Sequence, residues 1–153
     1  MSVIAPTAAE QFRAVRIATE LRFKATQGRV YEVLVERSSE WFPATYGEER
    51  VKAIVLEPRV GGTYYEDWGD GRGHLYGVVT RYDPPRQLHF RGQLDLGTIL
   101  DTEYDLEPVG EETLLKVSKV AVGPISDEEA AGIYKYGDIA RFEDALRRVI
   151  EDG

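Results

Sequence analysis

Two side chains in this sequence have the chemistry of proton carriers, and Asp138 is the first. Residues spaced three and four positions from it, such as Tyr134 and Phe142, are apolar or aromatic, as on the buried row of a helix. A partly desolvated carboxylate on that row would suit a general base or a ligand contact. In the alternative, Asp138 lies at the solvated margin of the row, or pairs with Lys135 or Arg141.

His74 is the second candidate proton carrier. It follows Gly71-Arg72-Gly73, and imidazole is the side chain whose charge changes near neutral pH. His74 is a candidate catalytic acid or base if it points inward, and an ordinary hairpin residue if it does not. His89 alternates with apolar neighbours, so we expect it on a solvated face and assign it no role.

Aromatic residues are candidates for the wall of a small-molecule site. The chain has 9 Tyr and 5 Phe, and a phenol joins an apolar ring to a polar tip that needs a partner. We predict ligand contacts for Trp41, Tyr64, Trp68, Tyr76, Tyr104, Tyr134 and Phe142. For each of them the alternative is a core aromatic whose polar group is satisfied within the protein.

Composition excludes several classes of function. A formal net charge of −8 argues against a nucleic-acid partner, whose phosphates attract basic surfaces. With 0 Cys and 2 His, the chain lacks thiolate chemistry and the usual metal-binding motifs, so we expect no metal and no cofactor. No secretory leader and no apolar run of about 18 residues is visible, which predicts a cytoplasmic protein without membrane insertion.

The chain begins with a predicted strand and two short helices. Alternation over 15–24 predicts a strand with one solvated face, and helical spacing follows near 26–34 and 38–42. Six further strands, separated by Gly, Pro and Asp turns, are predicted over 51–57, 63–68, 73–82, 87–91, 98–107 and 113–120. The alternate carboxylates Asp101, Glu103, Asp105 and Glu107 mark an acidic, solvated face.

A C-terminal helix must cover the other face of this sheet. Ser126 and Glu129 form a capping-box pattern, and apolar residues recur at helical spacing from Ile133 to Ile150. A curved sheet and one helix cannot touch everywhere, so a cavity between them is expected.

Five segments carry a resemblance to a known family: Val30-Tyr31-Glu32-Val33-Leu34, Glu40-Trp41-Phe42-Pro43, Pro58 to Tyr64, Gly77 to Leu88, and Ser126 to Leu146. Their order resembles the START-like or SRPBCC superfamily. It is most similar to the small bacterial branch related to the C-terminal domain of the activator of the heat-shock-protein ATPase.

The resemblance implies one START-like domain over 14–153 after an N-terminal tail, 1–13. Its fold would be α+β: a helix-grip fold in which a seven-stranded curved antiparallel sheet surrounds a long C-terminal helix. The order would be one strand, two helices, six strands and one helix. Many relatives have Gly-Trp where this chain has Gly137-Asp138, so pocket contacts at that position do not carry over.

The resemblance also implies three functions, because family members bind hydrophobic ligands, act as polyketide cyclases or dehydratases, or serve as co-chaperones. The first hypothesis is a module that binds a hydrophobic or aromatic small molecule between sheet and helix. The second is an acid-base enzyme that uses Asp138 with His74 or Tyr104. The third is a co-chaperone-like interaction module that uses its acidic outer surface to bind a protein client. Exposed edge strands separately allow a homodimer.

Overall fold

The computed structural model of the protein describes residues 11–42, 46–94 and 97–152. Most of the predicted tail, and Pro43 of the Glu40-Trp41-Phe42-Pro43 segment, lie outside these residues. The first element among the described residues is a strand that begins at Phe12. Within the described ranges, no helix is both long and apolar enough to cross a membrane.

The strands form one seven-stranded sheet, as predicted. They are β1 (Phe12–Phe23), β2 (Ala53–Leu56), β3 (Thr63–Gly69), β4 (Arg72–Asp83), β5 (Gln87–Leu94), β6 (Thr98–Val109) and β7 (Glu112–Pro124). All neighbours are antiparallel, in the order β1-β7-β6-β5-β4-β3-β2. The sheet is a meander from β2 to β7 that β1 completes beside the last strand.

Two helices follow β1 and pack on the concave face of the sheet. Helix α1 (Gln27–Glu36) begins at Thr26, whose hydroxyl accepts a hydrogen bond from the Arg29 backbone N–H. Its predicted apolar stripe, Val30, Val33 and Leu34, is buried. Helix α2 (Ser38–Trp41) is a single turn, and a 3₁₀ turn (Glu48–Arg50) precedes β2.

The C-terminal segment begins with the capping box that the sequence predicts. The Ser126 hydroxyl accepts from the Glu129 N–H while the Glu129 carboxylate accepts from the Ser126 N–H, and α3 (Asp127–Tyr136) starts there. Helical structure continues through a 3₁₀ turn (Ile139–Phe142), α4 (Glu143–Arg147) and a final π turn (Arg148–Asp152). The α+β helix-grip prediction is confirmed, with an interruption at Gly137 and Asp138.

The apolar interior consists of two separate clusters. The larger one lies between α1, α2, α4 and the middle of the sheet. The smaller one, under α3, contains Val15, Ala121, Ile125 and Ala130, with Leu94, Leu100 and Ile133 packed against it. The gap between the two clusters is where the candidate site lies.

Candidate functional site

A cavity of about 590 Å³ lies between the concave face of the sheet and the C-terminal segment. Its sheet side is formed by β1, β6 and β7, and its helical side by α3 and the turn that follows. The apolar wall consists of Val15, Ile17, Leu94, Leu100, Ala121 and Ile133. The predicted cavity between sheet and helix is therefore present as a geometric feature.

Lys119 stands in this apolar wall. The inward row of β7 passes from Leu115 and Val117, in the larger cluster, to Lys119 and then to Ala121, in the smaller one. Within the described parts of the chain, the Lys119 amine makes no hydrogen bond or ion pair. Burial lowers the pKa of Lys119 to about 8, with the Arg141 guanidinium lowering it further and Asp138 opposing both.

Thr98 supplies a second polar group to the same cavity. The residue lines the cavity and is 2% exposed, and its buried hydroxyl has no hydrogen-bond partner among the described residues. A buried hydroxyl left unpaired costs about 1–3 kcal/mol. A bound polar atom, from water or a ligand, would remove that cost.

The other end of the cavity is aromatic. Phe42, Tyr46, Tyr76 and Phe142 line it. The Phe42 ring meets Tyr76 edge-on at 5.1 Å between centroids and lies 6.1 Å from Phe142. The predicted ligand-binding residues Tyr76 and Phe142 are therefore on the cavity wall, and their role as ligand contacts stays a prediction.

Glu66 lies directly behind this aromatic end and is 0% exposed. A register shift between β3 and β4 follows Tyr64, and it brings Glu66 opposite His74. The carboxylate accepts hydrogen bonds from the Tyr76 hydroxyl, from the Trp68 indole N–H at 2.9 Å, and from the backbone N–H of Gly47 at 2.8 Å.

These hydrogen-bond donors determine the ionisation state of the Glu66 carboxyl group. Burial alone would raise the pKa of this carboxyl, but the hydrogen bonds from Tyr76, Trp68 and the 46–47 backbone outweigh burial and hold the pKa below its ordinary value. Glu66 is therefore a buried, ionised carboxylate that fixes one wall of the cavity. A Cβ at Gly47 would lie 2.2 Å from the Trp68 Nε1, so only glycine fits there.

Asp138 lies at the break between α3 and the 3₁₀ turn. Its carboxylate accepts a hydrogen bond from the Thr19 hydroxyl at 2.6 Å and another from the Ala140 backbone N–H at 2.9 Å. It caps the 3₁₀ turn, and it is not among the residues that line the cavity, although Gly137 and Arg141 are. The pairing with Lys135 or Arg141 considered above is not present, and a catalytic role stays a prediction.

His74 stacks on Tyr46, with 3.7 Å between ring centroids and 18° between ring planes. It also meets Tyr76 edge-on at 5.3 Å. His74 thus supports the aromatic end of the cavity from outside and does not line it. Its role as an acid or base stays a prediction.

The structure does not bring the remaining predicted ligand residues to the cavity wall. Trp41, Tyr64 and Tyr104 are core residues, 4%, 1% and 3% exposed. The Trp41 indole donates to the Val33 carbonyl, and burial raises the pKa of Tyr104 well above its usual range. Trp68 bonds Glu66, and Tyr134 is exposed on α3.

On the opposite, convex face, His89 lies between two carboxylates. Its Nε2 is 3.1 Å from Asp105 and its Nδ1 is 3.9 Å from Glu103. Gln87 also donates to the Asp105 Oδ1 that faces His89. These side chains form a polar cluster on the convex face, the side on which the alternation predicts His89.

Sequence reasoning missed Lys119 and Glu66. Both rows of β7 carry apolar residues and one lysine, so alternation alone cannot choose the inward row. Glu66 lies between Tyr65 and Asp67, and its backbone donors come from a loop some 20 residues earlier in the chain. The one signal in the sequence that could have identified Lys119 is its position, as a charged residue, on the same strand row as Val117 and Ala121.

No family model matches this chain, and no curated protein matches it in sequence. Solved structures do match over nearly its whole length. Mll3558 from Rhizobium loti has a TM-score of 0.69 at 16% identity, covering 91% of this chain and 99% of its own. CalU16 from Micromonospora echinospora has a TM-score of 0.64 at 18% identity, covering 94% and 87%.

A third neighbour is the Aha1 dimer from Colwellia psychrerythraea, with a TM-score of 0.64 at 18% identity, covering 90% of this chain and 96% of that one. Identities this low establish a shared fold and leave function to be argued from the site. The chain has the fold of these small bacterial proteins, and its seven-stranded antiparallel sheet fits the START-like fold.

Proposed function

We propose that this protein binds a hydrophobic or aromatic small molecule in the cavity between the sheet and the C-terminal segment. The observation that carries the proposal is the division of the core into two clusters, with about 590 Å³ of space between them. Ligand pockets of small molecules span roughly 300–1,000 Å³ and are mostly apolar with few polar groups.

The cavity is partly open to solvent. Protein interiors otherwise pack as densely as organic crystals, so a gap of this size between two clusters of the core is unusual. A sequence under no demand for space would fill the gap with larger side chains at Ala121 and Gly132, both of which line the cavity. The small residues at these positions support a site that a ligand completes.

The wall suits an amphipathic occupant. Its aromatic end offers edges and faces of Phe42, Tyr76 and Phe142 for dispersion and ring contacts. Lys119 and Thr98 offer polar contacts at separate points of the sheet side. Acid-base catalysis by Asp138 is not part of the proposal, because its carboxylate oxygen is engaged by Thr19 and Ala140.

The test is native mass spectrometry of gently purified protein, followed by thermal-shift measurements with a panel of lipids, aromatic compounds and polyketides. A bound ligand adds mass and raises Tm by mass action. The same spectra count the copies of the chain, and so test the predicted homodimer, the state in which the Colwellia neighbour was solved.

Two matched variants locate the binding. A Cβ at Gly132, on α3, meets no atom within 4 Å, so Gly132→Leu places a side chain in the cavity without a clash. Gly28, on α1, is equally open but lies outside the cavity. We expect Gly132→Leu to abolish the ligand-induced rise in Tm and Gly28→Leu to keep it. The proposal would be contradicted if the mass spectrum showed no adduct and no compound of the panel raised Tm.

A further inference from the structure

The charges inside the cavity point to the chemistry of the ligand. Lys119 and Arg141 both line it, and neither forms an ion pair with a residue in the described ranges. The Arg141 guanidinium is held by the Tyr136 carbonyl at 2.8 Å and lies over the Tyr136 and Phe142 rings. Lys119 thus lies in a mostly apolar wall and Arg141 is an exposed residue lining the same cavity, and neither has a dedicated counter-ion within the described ranges.

Each of the two acidic groups near these cations has one carboxylate oxygen hydrogen-bonded to another partner. Asp138 influences Lys119 through space, but its Oδ1 accepts from Thr19 and from the Ala140 N–H. Glu129 also lines the cavity, and its carboxylate closes the capping box at Ser126. Neither carboxylate makes a direct contact with the lysine.

We propose that the cavity binds an apolar monocarboxylic acid, with the carboxylate paired to the Lys119 ammonium and the apolar part lying toward the aromatic end. This inference rests on the proposed function and specifies its ligand class. A charged hydrogen bond in an apolar site is short and strong, and an anion that binds the partly buried Lys119 amine displaces no hydrogen-bond partner within the described ranges.

The register of β6 and β7 separates the two polar points of the sheet wall, Lys119 and Thr98. Thr102 is the cross-strand neighbour of Lys119, and Thr98 lies four residues further along β6, about 13 Å away along the strand. Thr98 therefore marks a separate, uncharged contact that suits a hydroxyl or carbonyl of a longer ligand. The sheet wall between these two points, at Leu100 and Ala121, is apolar.

Isothermal titration calorimetry with a matched pair of probes tests the inference. Decanoate and decan-1-ol have the same chain and differ in the carboxylate. The variant is Lys119→Met, which keeps the length and flexibility of the side chain without its charge. Lys116→Met is the control, because Lys116 lies on the convex face of the same strand and pairs with Glu107 at 2.8 Å.

At pH 7 we expect wild type and Lys116→Met to bind decanoate at least tenfold more tightly than decan-1-ol. Lys119→Met should lose at least tenfold in decanoate affinity and keep its affinity for decan-1-ol. The decanoate preference of wild type should also decline between pH 7 and pH 9.5, as Lys119 loses its proton in the presence of Arg141, Asp138 and Glu129.

Two results would overturn the inference in different ways. Equal binding of both probes by wild type, or unchanged decanoate binding by Lys119→Met, shows that the cavity takes apolar ligands without recognising a carboxylate, and leaves the proposed function standing. Failure of both probes, together with an empty mass spectrum and no Tm shift in the ligand panel, overturns the proposed function and the inference with it.

Discussion

The hydroxyl of Thr19 donates a hydrogen bond to the carboxylate of Asp138 across 2.6 Å. This contact joins β1 to the break in the C-terminal segment, at a point where the same carboxylate caps the next turn through the Ala140 N–H. Arg141 and Phe142 belong to that turn and line the cavity. Asp138 therefore acts on the site through the residues that it positions.

We expect Asp138→Ala to lower the free energy of unfolding by about 1–2 kcal/mol, because it removes a cap and the tether to β1. Asp138→Asn keeps a carbonyl oxygen that can accept both hydrogen bonds, and should cost less. Thr19→Val removes the donor at equal volume, so the double mutant with Asp138→Ala measures the coupling between the two side chains.

Urea unfolding monitored by circular dichroism gives these differences. Additive effects of Thr19→Val and Asp138→Ala would show that the hydrogen bond does not contribute to stability. A loss of decanoate binding in Asp138→Asn without a loss of stability would instead assign the carboxylate to the ligand site.

The two glycines of the α3 region should respond oppositely to alanine. At Gly137 a Cβ would lie 2.6 Å from the Ile133 carbonyl and 3.1 Å from the Ile17 Cδ1, so the helix end must move. At Gly132 a Cβ meets nothing within 4 Å. We expect Gly132→Ala to stabilise the fold by about 0.5–1 kcal/mol and Gly137→Ala to destabilise it. Comparison of their Tm values tests this, and equal shifts would contradict the packing of Gly137 on β1.

The order of elements was predictable because the period of the apolar pattern changes clearly along the chain. Alternation in β1 and β6 and the capping box at Ser126 are local signals, and each depends on residues within one element. The break in the C-terminal segment was missed because apolar spacing continues across it from Ile133 to Ile139. The Gly137-Asp138 pair, a helix-ending and a helix-capping residue together, contained the signal.

The site was less predictable because it depends on register and on distant donors. The register shift at Tyr64 determines that Glu66 and Tyr76 meet, and no local pattern encodes it. Trp41 and Tyr104 are aromatic residues of the type that lines ligand sites. Their burial in the core follows from packing against α1 and β5. Lys119 is one of two lysines in a strand whose two faces look alike in sequence.

Replacing the buried carboxylate of Glu66 should be strongly destabilising. In Glu66→Gln one carboxylate oxygen becomes an NH₂ group. That group faces either the Gly47 and Trp68 N–H donors, which share Oε1, or the Tyr46 N–H on Oε2, so at least one hydrogen bond becomes a donor-donor contact. We expect a loss of about 2 kcal/mol in the free energy of unfolding. Glu103→Gln is the control, because Glu103 is half-exposed on the convex face and should change stability little.

The effect of Glu66→Gln on stability should depend on pH, in a direction that follows from the lowered pKa of Glu66. Since the folded-state pKa of Glu66 is below its ordinary value, the stabilisation from ionised Glu66 is present above the unfolded pKa, about 4.3, and is lost as pH falls through the folded pKa. The stability difference between wild type and Glu66→Gln should therefore narrow as pH falls from 7 to 3. A constant difference over this range would mean that folding does not lower the pKa of Glu66.

Lys119→Met should stabilise the ligand-free protein, which is the opposite of the usual result for a substitution inside a domain. The pKa of Lys119 is lowered from 10.5 to about 8, so the folded state holds its proton less tightly than the unfolded chain does. The cost of burying the ammonium is fully present below pH 8 and disappears as pH rises toward 10.5. We expect Lys119→Met to be more stable than wild type by about 2 kcal/mol at pH 7, with the difference shrinking between pH 8 and 10.5.

Urea unfolding at intervals from pH 7 to 10.5 measures that difference. Subtracting the unfolding free energy of wild type from that of Lys119→Met at each pH cancels the contribution of titratable groups that both proteins share. Lys116→Met, on the convex face of β7, should show no such trend and a change of at most about 1 kcal/mol. If Lys119→Met were less stable than wild type at pH 7, the ammonium would have a favourable partner in the ligand-free protein. If the charge of Lys119 destabilises the ligand-free fold and strengthens carboxylate binding, its role is to bind the ligand. The unfolding experiment measures the first effect and calorimetry measures the second.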